Sequence, residues 1–237
     1  MEIAGSVVLV TGANRGIGAE FVRQIRERGA ARLYAGVRDL GSVTTTDVIE
    51  PLALDVTDQE QIAAAAARAT DVQILINNAG IVRVQRLVGG DLSLIRGEFE
   101  TNVFGMLRVS SAFAPVLAAN GGGAILNVLS AVSWFSAPGT ASYSATKAAA
   151  WSLTDALRIE LAGQGTQVLG LHMGPVDTDM GAQVQSDLDK LSPAELVNAA
   201  LDGIEAGAVE VLADDLTHEL KANLTSDPAD RYAALMA

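Results

Sequence analysis

The 237-residue sequence predicts a single-domain α/β fold of the Rossmann type, a doubly wound parallel β-sheet with helices on both faces. Three observations carry that expectation. Short apolar runs alternate with longer segments of helical periodicity along the chain, the pattern of repeated βαβ units. The runs are apolar throughout, as strands are when both sheet faces are covered. The first run also ends in a glycine-rich turn, Thr11-Gly12-Ala13-Asn14-Arg15-Gly16-Ile17-Gly18, which opens into a helical pattern. A chain of this length folded as one unit buries roughly three-quarters of its unfolded surface. No linker divides it, so residues 1–237 are expected to form one domain.

Val7–Val10 reads as the first buried strand, ended by Thr11-Gly12. Ile17, Phe21, Val22 and Ile25 then recur at helical spacing, and Arg26, Arg28 and Gly29 suit the end of that helix. Leu33–Val37 is the second strand. A strand near Ile49–Leu54, an Ala-rich helix near Gln59–Ala69 and a strand Val72–Ile76 repeat the pattern. A longer helix is expected over much of Leu92–Ala119, followed by Gly121-Gly122-Gly123 and a strand Ala124–Leu129. A helix from about Tyr143 to Leu161 precedes the sixth strand, Gln167–His172. A further helix follows Ser192-Pro193, with Val209–Leu212 as a candidate seventh strand.

Composition narrows the partners. A formal charge of −12 opposes binding to nucleic acid or to an anionic membrane surface. The absence of cysteine excludes a disulfide framework, a thiolate metal site and a thiol nucleophile. With 49% hydrophobic and 19% charged residues, the chain is not of the disordered class. Met1–Ser6 lacks the basic segment of a signal peptide. No run approaches the roughly 18 uninterrupted apolar residues that span a membrane. A cytoplasmic location is therefore expected, and the Asn-Leu-Thr sequon at Asn223 has no significance without secretion. His172 and His218 form no metal or triad set, so no metal is expected, and a serine hydrolase is disfavoured by the missing Gly-x-Ser-x-Gly elbow.

The glycine-rich turn lies where tight turning and free helix N-terminal N–H groups suit a pyrophosphate, so it predicts dinucleotide binding. Which dinucleotide depends on the end of the second strand, Ala35-Gly36-Val37-Arg38-Asp39. Arg38 from one side and Arg15 from the other can hold a ribose 2′-phosphate, which favours NADP(H). Asp39 is the competing ribose ligand, and the bland alternative is two solvated surface arginines.

Tyr143 and Lys147 come from only three tyrosines and three lysines, and stand four apart at the start of a predicted helix. Residues i and i+4 share a face, so the ammonium is expected to lower the phenol pKa and make Tyr143 a general acid for carbonyl reduction or a base for alcohol oxidation. Ser130 falls just past the end of strand Ala124–Leu129, where ligands bind in open parallel sheets, and its hydroxyl can hydrogen-bond a substrate oxygen. Ser133 and Ser136 are nearby competitors.

With these pieces in place the sequence resembles the short-chain dehydrogenase/reductase family over essentially its whole length. Thr11-Gly12-x-x-x-Gly16-Ile17-Gly18, Asp55-Val56, Asn77-Asn78-Ala79-Gly80, Asn102, Ser130 and Tyr143-x-x-x-Lys147 follow in family order. The resemblance implies a catalytic tetrad of Asn102, Ser130, Tyr143 and Lys147. Tyr143 would exchange the proton and also contact the cofactor, Ser130 would orient the oxygen, and Lys147 would bind the nicotinamide ribose. Asn102 would hold a water linking Lys147 to solvent. The cofactor set would comprise Gly12, Asn14, Arg15, Gly16, Ile17, Gly18 and Arg38 at the phosphates, with Asp55 and Val56 at the adenine. Asn78, Ala79 and Gly80 would form the floor, and Gly174, Val176 and Thr178 would lie at the carboxamide. The family's usual Pro-Gly-x-Val-x-Thr reads Met173-Gly174-Pro175-Val176-Asp177-Thr178 here, which alters the pocket wall.

The substrate pocket is expected to involve Ser130, Trp134, Phe135, Tyr143 and Gln183, with a covering segment at about 179–190. Trp134 and Phe135 read equally as core or interface. The substrate would be a small carbonyl or alcohol compound. The nearly all-apolar helix after Tyr143 implies, with the family, a homodimer or homotetramer. The alternative to an oxidoreductase is a non-catalytic NADP(H)-binding regulator or scaffold on the same fold.

Overall fold

The computed structural model describes residues 1–184 and 188–236. Seven parallel strands form one sheet in the order β3-β2-β1-β4-β5-β6-β7. They are β1 (Val7–Thr11), β2 (Arg32–Val37), β3 (Ile49–Ala53), β4 (Ile74–Asn77), β5 (Ala124–Val128), β6 (Gln167–His172) and β7 (Glu210–Leu212). The expected strands are all present, with ends moved by one or two residues. The doubly wound parallel sheet of the sequence reading is the observed fold.

Helices α1 (Gly16–Glu27) and α6 (Pro193–Glu205) cover one face. Helices α2 (Gln59–Arg68), α4 (Met106–Ala119) and α5 (Ala141–Glu160) cover the other. Val8, Val10, Ile74, Ile76, Leu126 and Leu169 point into the first layer with Phe21, Ile25, Leu201 and Ile204. Leu9, Leu75, Ile125 and Val168 point into the second with Ile62, Phe113, Leu117 and Leu157. Alternate residues of one strand thus feed two cores, which is why the runs carry no polar alternation.

The expected helix over Leu92–Ala119 is one continuous rod with a fault in it. Helix α3 (Leu92–Phe99) passes into a π-helical turn, Glu100–Gly105, and then into α4. By length and composition this run could cross a membrane, but Glu98, Asn102 and Ser110 on it are buried inside the protein. After β7 come three short helices that periodicity did not reveal, α7 (Asp215–Ala222), α8 (Pro228–Arg231) and α9 (Ala233–Met236). The chain order reverses direction between β1 and β4, so the crevice of this sheet opens beyond the carboxyl ends of those strands.

Candidate active site

The glycine turn leaves β1 and wraps onto the start of α1. Gly18 is required by packing, because a Cβ there would lie 2.1 Å from the Gly12 carbonyl oxygen and 2.6 Å from Asn78 Nδ2. Asn78 Nδ2 donates to Thr11 O at 2.9 Å and to Gly12 O at 3.1 Å. Thr11 Oγ1 accepts from the N–H groups of Asn78 and Ala79, both at 3.0 Å. The Asn78-Ala79-Gly80 floor and the turn are therefore one hydrogen-bonded unit, joined through Thr11 and Asn78. Thr178 joins them from across the crevice, its Cγ2 standing 3.4 Å from where a Gly16 Cβ would be. Asn14 is exposed and Ile17 half-buried at the mouth of the turn.

The donor set fits a dinucleotide. Arg15 caps α1 with no side-chain hydrogen bond and the first turn holds no acid, so the helix offers its N–H groups and positive pole outward. Arg15 and Arg38 are exposed, and neither makes an ion pair among the described residues. At the end of β2, Asp39 turns back to accept from Gly41 N at 3.0 Å and caps the following turn, while Arg38 is exposed. Asp55 is likewise held locally, accepting from Thr57 N and Oγ1, while Val56 is buried.

At the other end, Tyr143 and Lys147 lie on the first turns of α5, and Ser130 on the turn after β5. Lys147 Nζ donates to Val128 O at 2.7 Å and stands 5.6 Å from the centre of the Tyr143 ring. Burial lowers the ammonium to about 8. The expected depression of the Tyr143 pKa is not found. Burial raises it, and the Glu98 carboxylate raises it further. The physical reason is that the lysine is aimed at a backbone carbonyl, while loss of solvent disfavours phenolate.

Asn102 lies on the π-turn, and a π-bulge re-aims side chains in this way at many functional sites. Its Oδ1 accepts from Ile81 N at 2.8 Å, and its Nδ2 donates to Ile81 O at 2.9 Å and to Thr146 Oγ1 at 3.0 Å. Thr146 Oγ1 in turn donates to Tyr143 O at 2.7 Å. Both amide donors are thus used on the protein, so the expected water-holding role does not fall to this side chain's N–H groups. Its observed work is to tie the floor segment to the start of α5.

Ser130 is part-exposed and its Oγ accepts from Val132 N at 3.3 Å. Its rivals differ, for Ser133 is buried and Ser136 exposed. His172, set aside by the sequence as a metal or triad residue, bonds the backbone of Ser130. Burial pushes the imidazole down to about 4, so it is neutral, and Nδ1–H donates to Ser130 O at 3.1 Å. Ala131 N adds a 2.7 Å bond to Met173 O. Met173 is itself buried in the core, and Gly174 N donates to Asp214 Oδ2 at 2.6 Å. Pro175 and Asp177 pair with Leu191, which fixes Val176 and Thr178 at the rim.

The expected pocket aromatics part company. Trp134 is buried, stacked on His172 with ring centres 3.9 Å apart and edge-on to Trp151 at 6.0 Å, so it packs in the core. Phe135 stacks on Tyr232 at 5.0 Å, and Ser136 N donates to Tyr232 Oη at 3.0 Å. Gln183 is exposed and donates to Asp179 O at 3.3 Å. Residues 185–187 of the expected cover lie outside the described residues.

Residues 6–189 match the family model for short chain dehydrogenase. A short chain dehydrogenase from Burkholderia cenocepacia J2315, solved in complex with NADP, is 40% identical and superposes with a TM-score of 0.94, each chain covered in full. The 3-oxoacyl-(acyl-carrier-protein) reductase FabG of Vibrio cholerae is 34% identical over 76% of this chain and 77% of its own. The galactitol 2-dehydrogenase (L-tagatose-forming) of Cereibacter sphaeroides is 36% identical over 76% of this chain and 74% of its own.

Proposed function

The chain belongs to the short-chain dehydrogenase family, and from that premise we propose that it is an NADP(H)-dependent oxidoreductase moving a hydride between nicotinamide C4 and a carbonyl or secondary-alcohol carbon. The observation that carries this reading is the crevice itself. At one end it offers an uncapped helix start flanked by two unpaired arginines, and at the other a tyrosine and lysine on the first turns of one helix, facing the turn that bears Ser130.

Bound there, the cofactor supplies or receives the hydride. Arg15 and Arg38 would bind the 2′-phosphate, and the N–H groups of Gly16 to Gly18 would bind the pyrophosphate. Asp55 and Val56 would border the adenine, Asn78 to Gly80 would form the floor, and Gly174, Val176 and Thr178 would hold the carboxamide. Lys147 would hold the ribose hydroxyls, and its charge there would offset the burial that raises the phenol. Tyr143 then gives its proton to the substrate oxygen in reduction and takes it back in oxidation, with Ser130 Oγ holding that oxygen. Asn102 and Thr146 keep Tyr143 in register with the floor.

The protein works as a cytoplasmic homodimer or homotetramer. Phe104 and Ile159, 47% and 78% exposed on the outer side of the α3–α4 rod and of α5, offer the apolar surface for that association.

The test is NADPH oxidation by the purified chain with a mixed panel of ketones and aldehydes. Consumption with at least one member is expected. Tight NADPH binding with no consumption by any member would mark a dinucleotide-binding protein without catalysis and overturn the reading.

A further inference from the structure

Glu98 is completely buried, on the last turn of α3, and nothing in the sequence pattern marked it. Its Oε1 accepts from Arg83 N at 2.7 Å. One helical turn later, Asn102 takes both the N–H and the carbonyl of Ile81. The two side chains thus grip alternate residues of the extended Ile81–Arg83 segment, which continues directly from the Asn78-Ala79-Gly80 floor. Farther on, Gln85 N donates to Gly139 O, just ahead of the catalytic helix.

The clamp explains one oxygen of the carboxylate and leaves the other over. Glu98 Oε2 is buried with no partner. A buried carboxylate oxygen without a donor is costly. A glutamine at this position would serve Arg83 N equally well and could place its second group as a neutral amide. The charge therefore calls for a second explanation, and the neighbour is Tyr143, since α3 packs against the start of α5.

We propose that Glu98 is a positioning residue for the reaction at Tyr143: through Arg83 N it fixes the segment that runs on from the cofactor floor, and its buried carboxylate, with one oxygen unpartnered, sits on the helix packed against the one that carries the phenol. The inference rests on the reading of Tyr143 as the proton-exchanging group. Other titratable groups on the surrounding elements act differently. On α5 Lys147 bonds Val128 O, and on β6 His172 is neutral and bonds Ser130 O. On α3 Arg96 lies two residues away, and on the π-turn Glu100 is paired with Arg108. The turns at 131–133 and 162–164, which also pack on α5, carry no charge. Without cofactor, Glu98 is the one of these groups whose charge acts on the phenol, and it holds the proton on. Such an arrangement keeps Tyr143 protonated to higher pH, so alcohol oxidation, which needs the phenolate as base, should set in at a higher pH.

The experiment is the pH profile of kcat/KM for alcohol oxidation with NADP in the parent chain, Glu98→Gln and Glu98→Asp. Glu98→Gln keeps the acceptor for Arg83 and removes the charge, so the pH of half-maximal oxidation should fall by roughly one unit. An unmoved midpoint overturns the electrostatic half of the proposal. Glu98→Asp keeps the charge but is a methylene short of Arg83. Its midpoint should stay with the parent's while kcat/KM falls by roughly tenfold. A midpoint that moves as far as that of Glu98→Gln, or an undiminished kcat/KM, overturns the clamp with its charge. Tyr143→Phe run alongside separates the two readings. If it retains turnover, the role of Tyr143 has failed; if it is inactive and the Glu98 midpoints do not move, only the role of Glu98 has.

Discussion

The two ends of the crevice are built on opposite principles. At the start of α1 the polar groups are open: Arg15 and Arg38 are exposed and unpaired, and no side chain caps the helix. The starts of α2, α3, α6 and α7 are instead capped by Asp58, Asp91, Ser192 and Asp214. At the start of α5 the polar groups are closed. Asn102, Lys147 and Glu98 are buried, and each spends at least one hydrogen bond on a backbone group of a neighbouring segment. The difference teaches that binding a charged ligand and moving a proton ask different things of a site. The first needs donors left unsatisfied where a ligand arrives, and the second needs polar groups held rigidly where water does not compete.

The open end can be broken without disturbing the closed one. Arg38→Asp replaces a charge-assisted donor with a repelling acid next to Asp39, which is already engaged in its own turn. The preference for NADPH over NADH, measured as the ratio of kcat/KM values, should fall roughly tenfold to a hundredfold. Equal use of both coenzymes by the parent chain would contradict the open-end account.

The closed end has a signature in stability. Lys147 in the folded chain is lowered to about 8 from an ordinary 10.5. Between about pH 8 and 10 the unfolded chain therefore holds a proton that the folded chain releases, and stability rises with pH across that window. Below pH 8 this contribution is constant, and the raised Tyr143 opposes it only above about 10, where an unfolded tyrosine ionises. Urea denaturation of the parent and Lys147→Met at pH 8, 9 and 10 should show the parent gaining roughly 2 kcal/mol on the variant. Parallel curves would mean that Lys147 is not buried as described.

The same division governs what the sequence discloses. The strands are legible because burial on both faces writes itself as continuous apolar runs, and β6 falls at Gln167–His172 as expected. The open end is legible too, since glycine spacing and arginine position are local. At the closed end Asn102, Ser130, Tyr143 and Lys147 are recognisable by order and spacing, but their electrostatics are not. Whether Lys147 lowers the phenol or burial raises it depends on where the ammonium points, and it points at Val128 O, 19 residues away. The roles of Glu98 and His172 escape notice for the same reason, because a single glutamate on an amphipathic helix and a histidine at a strand end look like solvated residues until neighbours enclose them. Tyr232 is beyond any local pattern, reaching Ser136 from 96 residues on. The π-turn has no composition of its own, so a continuous helical periodicity conceals it.

The central claim is that proton exchange belongs to Tyr143 at the closed end, while the charged part of the cofactor is held at the open one. Tyr143→Phe tests it most directly, with turnover and NADPH binding measured on the same preparation. The account predicts a loss in kcat of roughly a hundredfold to ten-thousandfold, with the NADPH dissociation constant held within about threefold, a difference of under 1 kcal/mol. Turnover surviving in the variant, or NADPH affinity lost together with it, would contradict that separation.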